Sequence, residues 1–234
     1  MMDVALVLVH KKPQLGIGKQ RLAARLGENQ ALQVAQALLN CAMEDAVAWP
    51  GPVVLAPASD QDYDWAQQQA MQFRLPCRVI PQISGNLGQR LNALDLALRR
   101  QDATRLVYIG SDAPGLSEAD YAAVRSSLQQ TDAVLMPAVD GGVVLMASRC
   151  AWPDLSMLPW STNCLGAELA ARCRAEMRSV SVLDVGYDID EPDDFFQLLC
   201  LLETDRRPSR RALYALIRKL TSDMSISLDR NQNA

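Results

Sequence analysis

The sequence indicates its fold most directly in Leu106-Val-Tyr-Ile-Gly-Ser-Asp-Ala-Pro-Gly115, where four apolar residues lead into a turn that carries a carboxylate. An apolar run without alternation is typical of a strand that is covered on both faces. The same pattern occurs near the start of the chain, in Val4-Ala-Leu-Val-Leu-Val9. Shorter runs of the same kind lie at 53–56, 77–80, 133–136, 143–146 and 180–183.

Helical patterns separate these apolar runs along the chain. They lie at 19–48, 60–73, 87–100, 117–130 and 163–177, and Pro192 opens a further helix at its first turn. This alternation of strands and helices predicts an α/β fold with a mostly parallel central sheet and helices on both faces. We expect one such domain over residues 1–202, because no repeat or linker divides that part of the chain.

The composition excludes several classes of protein. Of the 234 residues, 49% are hydrophobic and 21% are charged, which is ordinary for a globular protein. The aliphatic run Val4–Val9 is much shorter than the roughly 20 residues that span a bilayer, and no basic region precedes it. We therefore expect a cytoplasmic protein with no transmembrane segment.

Charge and cysteine usage restrict the partners and the kinds of site. The net charge of −4 gives no general attraction to nucleic acid, so no nucleic-acid partner is expected. None of the six cysteines forms a C-x-x-C pair, which favours free thiols over disulfides or a zinc site. Because His10 is the single histidine, a metal site built from several histidines is excluded.

The segment that follows residue 202 has a different character. Six basic and two acidic residues lie between Glu203 and Lys219, and apolar residues at 213, 216, 217 and 220 keep helical spacing. We expect a basic amphipathic helix over 203–222 and a disordered tail over 223–234. The helix either packs on the domain with a solvated basic rim or offers a basic contact to an anionic acceptor, phospholipid or partner.

A cationic loop follows the first predicted strand. Lys12, Lys19 and Arg21 lie around a glycine turn that includes Gly16, at the start of a helix. Cations are unusual there, because the N-terminus of a helix already carries a partial positive charge. An anion bound in the loop would remove the conflict, so we weigh phosphate binding against a simple solvated loop.

A carboxylate follows the strand that ends at Ile109. Asp112 stands in a stiff turn after Gly110 and Ser111, at the edge of a parallel sheet where ligands bind. Mg²⁺ takes one or two carboxylates together with substrate phosphates and waters, so Asp112 is a candidate ligand. The alternative is an ordinary turn or cap acid.

A second acidic turn follows the strand at 133–136. Asp140, Gly141 and Gly142 would let backbone amides approach a ligand while offering another carboxylate, although Asp-Gly is also a typical hairpin turn. Together with the cationic loop and Asp112, this turn suits a nucleotide diphosphate bound with Mg²⁺.

Five ordered motifs carry a resemblance that covers most of the chain. They are Lys12-Pro13…Gly16…Lys19-Gln-Arg-Leu22, Leu87-Gly-Gln-Arg-Leu91 after Pro81-Gln82, Gly110-Ser-Asp-Ala-Pro-Gly115, Met136-Pro-Ala-Val-Asp-Gly-Gly142, and Trp160-Ser-Thr162 followed by Asp188-Ile-Asp-Glu-Pro-Asp-Asp194. The chain resembles the bacterial glycosyltransferase-A-like proteins called radical-SAM/selenodomain-associated transferases. These are distant relatives of the nucleotide-diphospho-sugar transferases and the molybdenum-cofactor guanylyltransferases.

The resemblance implies a Rossmann-like GT-A domain that uses Mg²⁺ or Mn²⁺ and a nucleotide-activated small-molecule donor. It implies metal contacts at Asp112 and Asp190 and catalytic roles for Asp112 and Asp140. The residues implied for nucleotide binding are Lys12, Gly16, Lys19, Arg21, Gly110 and Ser111. Those implied for the acceptor region are Gly141, Gly142, Trp160 and Ser161.

The chain departs from the pattern of these proteins at two places. Gln20 stands where threonine is usual, and Val143 and Val144 stand where aromatic residues are usual after Asp-Gly-Gly. The loss of a tyrosine ring and hydroxyl removes a stacking face and a polar group from the acceptor region. Three functions stay open: sugar transfer from a nucleotide-diphospho-sugar, nucleotidyl transfer of the guanylyltransferase kind, and nucleotide binding without catalysis.

Overall fold

A seven-stranded sheet forms the centre of the computed structural model, which describes residues 4–232 and the side chains of residues 4–223. The strands are β1 (Val4–His10), β2 (Val53–Pro57), β3 (Cys77–Val79), β4 (Arg105–Ile109), β5 (Ala133–Pro137), β6 (Val143–Ser148) and β7 (Val180–Val182). The helices are α1 (Gln20–Leu26), α2 (Glu28–Ala48), α3 (Tyr63–Ala70), α4 (Leu87–Arg99), α5 (Glu118–Ser127), α6 (Leu165–Ala175), α7 (Phe195–Leu202) and α8 (Pro208–Gln232).

The sheet is mostly parallel, as the sequence predicts. Its strand order is β3-β2-β1-β4-β6-β5-β7, and β6 runs antiparallel to both of its neighbours. A short connection of residues 138–142 joins β5 to β6. It is too short for the crossover that a parallel pair requires, so β6 runs back antiparallel to β5. β1 pairs with β2 on one side and with β4 on the other. The connections after β1 and β4 therefore run in opposite directions, and a crevice forms between them at the carboxyl ends of these two strands.

Helices cover both faces of the sheet because its central strands carry apolar residues on both sides. Leu6 and Leu8 of β1 are buried with residues of α2 and α5, whereas Ala5 and Val7 are buried with residues of α4 and α6. An outer layer of α1, α7 and α8 packs on the side of α2 that faces away from the sheet. Its core includes Ile189, which is fully buried.

The predicted helix at 19–48 is two helices in the structure. Gly27 separates α1 from α2, with a φ of 88° that leaves the helical region. Glycine adopts this conformation without the cost that a Cβ atom imposes on other residues. The break allows α1 to turn toward the crevice while α2 packs along the sheet.

The C-terminal helix is packed against the domain. It begins at Pro208, later than predicted, and Leu213, Ile217 and Leu220 are buried in the outer layer. Its backbone continues to Gln232, where a disordered tail was expected, and residues 233 and 234 lie outside the described residues. No glycine or proline follows Pro208, so the sequence contains no strong helix breaker there.

A buried ion-pair network joins α8 to the domain, although the sequence suggested a solvated basic rim. The guanidinium of Arg210 is fully buried and donates to the Asp45 carboxylate, to Glu44 at 3.1 Å and to the carbonyl oxygen of Pro114 at 3.1 Å. Arg207 and the hydroxyl of Tyr121 also donate to Asp45, each at 2.9 Å. The helix therefore contributes buried charge, which the carboxylates of α2 match.

The structure also bears on the expectations for the cysteines and for membrane-spanning helices. All six cysteines are free thiols, two of them buried, two partly buried and two exposed. Among the described residues, no helix is both long enough and apolar enough to cross a membrane.

Candidate active site

A crevice of about 480 Å³ lies at the carboxyl ends of β1 and β4. It contains most of the residues to which the sequence assigns a role at the site. Those that line it are Lys12, Lys19, Gly110, Ser111, Asp112, Trp160, Ser161 and Asp190. The loop after β1 and the loop after β4 therefore form one site, as the order of strands in the sheet requires.

Lys19 is the cation at the centre of this site. It precedes α1 in a left-handed backbone conformation (φ 46°), and its side chain is only 13% exposed. Its ammonium donates to Asp190 Oδ1 at 2.9 Å, to Asp112 Oδ2 at 3.5 Å and to the carbonyl oxygen of Ile189. Burial lowers the pKa of Lys19, but the Asp112 and Asp190 carboxylates outweigh burial and leave that pKa above its ordinary value.

Backbone hydrogen bonds bring the segment 188–190 to the end of β4. The amide of Ile189 donates to the carbonyl oxygen of Asp112 at 2.9 Å, and the Ile189 side chain is anchored in the outer layer. The amide of Asp190 donates to Asp194 Oδ2 at 2.8 Å, which fixes the following turn. Two chain segments that are far apart in sequence therefore present their carboxylates to the same space.

Asp188 is a further member of this acidic group, although sequence reasoning gave it no role. It lines the crevice, and burial together with the charges of Asp112, Asp140 and Asp190 raises the pKa of Asp188 to about 6. The pattern Asp188-Ile-Asp190 could have indicated it, because an apolar residue that turns into the core leaves its two acidic neighbours pointing away from that core.

The carboxylates suit a divalent cation that substrate oxygens help to hold. Within the described residues, no group of three or more His, Cys, Asp or Glu side chains could enclose a metal ion by itself. Asp112 and Asp190 already share one cation, the Lys19 ammonium, so the pair is arranged for positive charge. Mg²⁺ commonly uses one or two carboxylates with phosphates and waters, and this donor set fits that mode.

The loop after β1 divides into residues inside and outside the crevice. Lys12 lines it and lies 5.8 Å from the centre of the Trp65 ring. Gly16 and Arg21 lie outside the lining, and Arg21 is exposed and pairs with Glu191 at 3.4 Å. Gln20, one of the departures from the family pattern, donates to the Gly16 carbonyl oxygen at 2.7 Å and so closes the glycine turn.

The Asp140-Gly-Gly142 turn is the tip of the hairpin between β5 and β6. Asp140 Oδ1 accepts from the Gly142 amide at 2.8 Å, and none of the three residues lines the crevice. Gly141 has a φ of 86°, and a Cβ atom there would lie 1.8 Å from the Asn163 carbonyl oxygen. This geometry gives the three residues a role in the turn, and a catalytic Asp140 stays a prediction.

Trp160 forms part of the crevice wall beside the start of α4. Its Nε1 donates to the Leu155 carbonyl oxygen at 2.8 Å, and Ser161 follows it with a φ of 64°. Gly88 lies against both: a Cβ atom there would lie 2.0 Å from the Leu155 carbonyl oxygen and 2.7 Å from Trp160 Nε1. The glycine of the Leu87-Gly-Gln-Arg-Leu91 motif thus permits α4 to approach this wall closely.

The family assignment rests on the central part of the chain, which contains Asp112, the hairpin turn and the Gly88 motif. Residues 36–162 match the model of the family described as "Uncharacterized protein conserved in bacteria" (DUF2064). The chain belongs to DUF2064. No curated protein sequence matches it.

Solved structures confirm the predicted Rossmann-like GT-A fold for this DUF2064 protein. A proposed nucleotide-diphospho-sugar transferase from Desulfovibrio desulfuricans G20 is 21% identical with a TM-score of 0.78, covering 94% of this chain and 96% of its own. A cytidylyltransferase from Leptospira borgpetersenii is 12% identical with a TM-score of 0.53, covering 95% and 96%. The 4-diphosphocytidyl-2C-methyl-D-erythritol synthase from Anaerococcus prevotii is 14% identical with a TM-score of 0.50, covering 82% and 92%.

Sequence reasoning missed three polar residues of the crevice in this DUF2064 chain. His10 ends β1 buried against the edge of the Trp65 ring, and neither ring nitrogen makes a hydrogen bond of normal geometry among the described residues. Gln82 donates to the Ala56 carbonyl oxygen at 2.6 Å, and its buried side-chain oxygen has no hydrogen-bond partner within residues 4–223. Arg90 belongs to the motif at the start of α4. The motifs Pro81-Gln82 and Leu87–Leu91 contained the signal for two of them.

Proposed function

We propose that this protein is a Mg²⁺- or Mn²⁺-dependent transferase that uses a nucleotide-diphospho-sugar donor. The observation that carries the proposal is the pairing of a cationic loop with an acidic cluster across one crevice. Lysines of the loop after β1 and the carboxylates of Asp112, Asp188 and Asp190 line it together, and Lys19 contacts both Asp112 and Asp190. A diphosphate needs positive charge, and a divalent ion needs carboxylates, so the crevice offers what both require.

The residues of the chain have distinct roles in this proposal. Asp112 and Asp190 would hold the divalent ion, which when bound would offset the charge that develops on the leaving nucleoside diphosphate. Lys12 and Lys19 would bind phosphate oxygens, because both ammonium groups belong to the crevice. The backbone at Gly110 and Ser111 would approach the nucleotide, and the wall around Trp160 and Ser161 would contact the acceptor.

Nucleotidyl transfer is the second candidate. The loop after β1 brings Lys11, Lys12 and Lys19 to the crevice, which is enough positive charge for a triphosphate. Two of the solved structures with this fold also carry the names of a cytidylyltransferase and a diphosphocytidyl synthase. The products differ: sugar transfer breaks the bond from the anomeric carbon to the diphosphate, whereas nucleotidyl transfer releases pyrophosphate. A chain that binds nucleotide and releases neither product would be the non-catalytic homologue.

Ligand-induced stabilisation tests the proposal directly. The midpoint of thermal unfolding is measured with a panel of nucleotide-diphospho-sugars and nucleoside triphosphates, each with and without Mg²⁺ or Mn²⁺. We expect a metal-dependent rise for at least one donor, which Asp112→Asn largely removes. Asp184→Asn is the matched control, because Asp184 is an exposed acid on the loop that precedes Asp188. Equal rises in the wild type and Asp112→Asn would reject the metal role of Asp112.

A product assay separates the candidate reactions once a donor has been found. Release of nucleoside diphosphate supports sugar transfer, and release of pyrophosphate supports nucleotidyl transfer. Stabilisation by a donor with neither product, over a broad range of acceptors, supports binding without catalysis.

A further inference from the structure

Arg90 is a cation of the crevice for which the described part of the chain provides no counter-charge. It lies in the first turn of α4 and lines the crevice. Its Nε is buried without a hydrogen-bond partner, and among the side chains that the structure describes no carboxylate pairs with its guanidinium. Burial also lowers the pKa of Arg90, since desolvation disfavours its charged form.

Two other buried or partly buried arginines of this chain are matched by acids. Arg210, which is fully buried, binds Glu44 and Asp45, and Arg99, on the same helix as Arg90, binds Asp95 at 2.9 Å. The position of Arg90 near the N-terminus of α4 adds to its cost, because the helix dipole is positive there. Arg90 therefore does not pair within the fold, and a bound anion would satisfy it.

The crevice that Arg90 lines also contains apolar side chains that belong to one hydrophobic cluster of the core. Leu87 lies three residues before Arg90 and so shares its side of α4, and Leu91 also lines the crevice. Val143 and Met146 of β6 line the same crevice. Trp160 completes this group of apolar side chains. A guanidinium beside an apolar surface binds an oxyanion strongly, because little water competes for it.

We propose that Arg90 and these apolar residues form a binding subsite for a small acid, whose carboxylate or phosphate pairs with the guanidinium while its apolar body lies on the wall. The lysines of the loop after β1 and the carboxylates at the end of β4 belong to other elements and already provide the charges that a donor diphosphate and a metal ion require. The assignment of the small acid as the acceptor rests on the proposed transferase function. The acceptor class is then an apolar or aromatic molecule with one anionic group.

Binding of simple probe acids tests the subsite. Benzoate and phenyl phosphate are titrated into the full-length protein by calorimetry, with benzyl alcohol as the neutral analogue. We expect at least one of the two acids to bind and benzyl alcohol to bind more weakly, and the better acid shows whether a carboxylate or a phosphate is preferred. Arg90→Gln should weaken that acid about tenfold or more, the range for a hydrogen bond to a charged group.

Two further variants keep the test decisive. Arg100→Gln removes an exposed arginine from the C-terminal end of the same helix and should leave acid binding unchanged. Arg90→Lys keeps the charge without the planar fork, and we expect an intermediate loss even if Arg90→Gln proves unstable. Wild-type binding in both Arg90 variants, or no binding of either acid by the wild type, would overturn the subsite.

Nucleotide binding separates this proposal from the transferase proposal. Uridine, cytidine and guanosine diphosphates are titrated into the same variants with Mg²⁺. Unchanged nucleotide affinity in Arg90→Gln, with lost acid binding, supports a separate subsite. A parallel loss of both would place Arg90 in the donor site and overturn the separation. Arg90-dependent acid binding without any nucleotide binding would retain the subsite and reject the transferase function.

Discussion

The ammonium of Lys19 lies 2.9 Å from Oδ1 of Asp190, in the space between the two carboxylates to which the sequence assigns a metal ion. The same ammonium is 3.5 Å from Asp112. A lysine that the sequence directs to nucleotide phosphates therefore serves as the counter-ion of the acidic pair in this structure. A divalent ion that binds both carboxylates would compete with Lys19 and free its ammonium for phosphate oxygens.

Lys19→Met separates these two contributions of the lysine. Without nucleotide, we expect Mg²⁺ or Mn²⁺ to bind the variant about three- to tenfold more tightly, because the competing ammonium charge is gone. The gain in metal affinity is modest because water partly screens both carboxylates. The affinity for nucleoside diphosphate with metal should fall. Manganese titration followed by electron paramagnetic resonance measures the first effect, and calorimetry measures the second.

Lys11→Met is the control for Lys19→Met, since Lys11 belongs to the same loop and makes no ion pair among the described side chains. Its metal affinity should stay close to that of the wild type. A weaker metal affinity in Lys19→Met would contradict competition between the ammonium and the ion.

Burial of His10 makes stability depend on pH. Desolvation lowers the pKa of His10 to about 4 in the folded protein, whereas an unfolded histidine titrates near 6.5. The unfolded chain therefore binds more protons between these values, and stability falls as the pH falls from about 6.5 to 4. The difference corresponds to about 3 kcal/mol of unfolding free energy.

Urea denaturation of the wild type and His10→Phe at pH 7 and pH 4.5 isolates the contribution of His10. Phenylalanine keeps the aromatic contact with Trp65 and does not titrate. We expect the wild type to lose more stability than the variant on acidification. An equal loss in both proteins would show that His10 does not titrate as its burial requires.

Arg210→Met tests the charge network beneath α8. Removal of one partner leaves Asp45 buried with Arg207 and Tyr121 as its remaining donors. Breaking a buried pair from one side costs about 3–5 kcal/mol, and the remaining donors favour the lower end. Urea denaturation should show this loss, whereas Arg206→Gln, at an exposed site, should change stability by less than about 0.5 kcal/mol.

Gly141→Ala tests whether the hairpin glycine is required by packing. Both a positive φ and a Cβ atom 1.8 Å from the Asn163 carbonyl oxygen oppose the substitution. Gly16→Ala is the matched control, because Gly16 also has a positive φ (73°) but a Cβ atom there would lie 3.9 Å from the nearest atom, Glu28 Oε1. We expect Gly141→Ala to destabilise the protein by about 1–3 kcal/mol more than Gly16→Ala in thermal or urea unfolding, and equal losses would exclude the steric contact.

The sequence predicts the strands closely and the helices less well. All seven apolar runs are strands within one or two residues, because short runs of β-branched and other apolar residues between turn signals favour strands. The helix predicted at 19–48 is interrupted because the conformation of Gly27 depends on where α1 must pack. The antiparallel direction of β6 follows from its short connection, yet the apolar run itself does not specify direction.

The sequence predicts which residues form the candidate site better than it predicts the contacts between them. The loops after β1 and β4 meet as strand topology requires, so Lys12, Lys19 and Asp112 line one crevice. The pairing of Lys19 with Asp190 joins residues far apart in sequence, and it depends on the packing of Ile189 and on the hydrogen bond from its amide to Asp112. The sequence does not reveal that Arg90 lacks an ion-pair partner. Whether an acid lies close to it is decided by the tertiary structure.

The contact between Arg210 and the Pro114 carbonyl oxygen bears on how the chain can be shortened. Residue 202 ends the domain predicted from sequence, but a protein cut there would lack the guanidinium that holds the turn two residues beyond Asp112. It would also uncover the apolar side of α2 and α7 that α8 covers. Expression of a minimal folded fragment should therefore retain the first half of α8, and a deletion at this point would impair solubility and the acidic centre together.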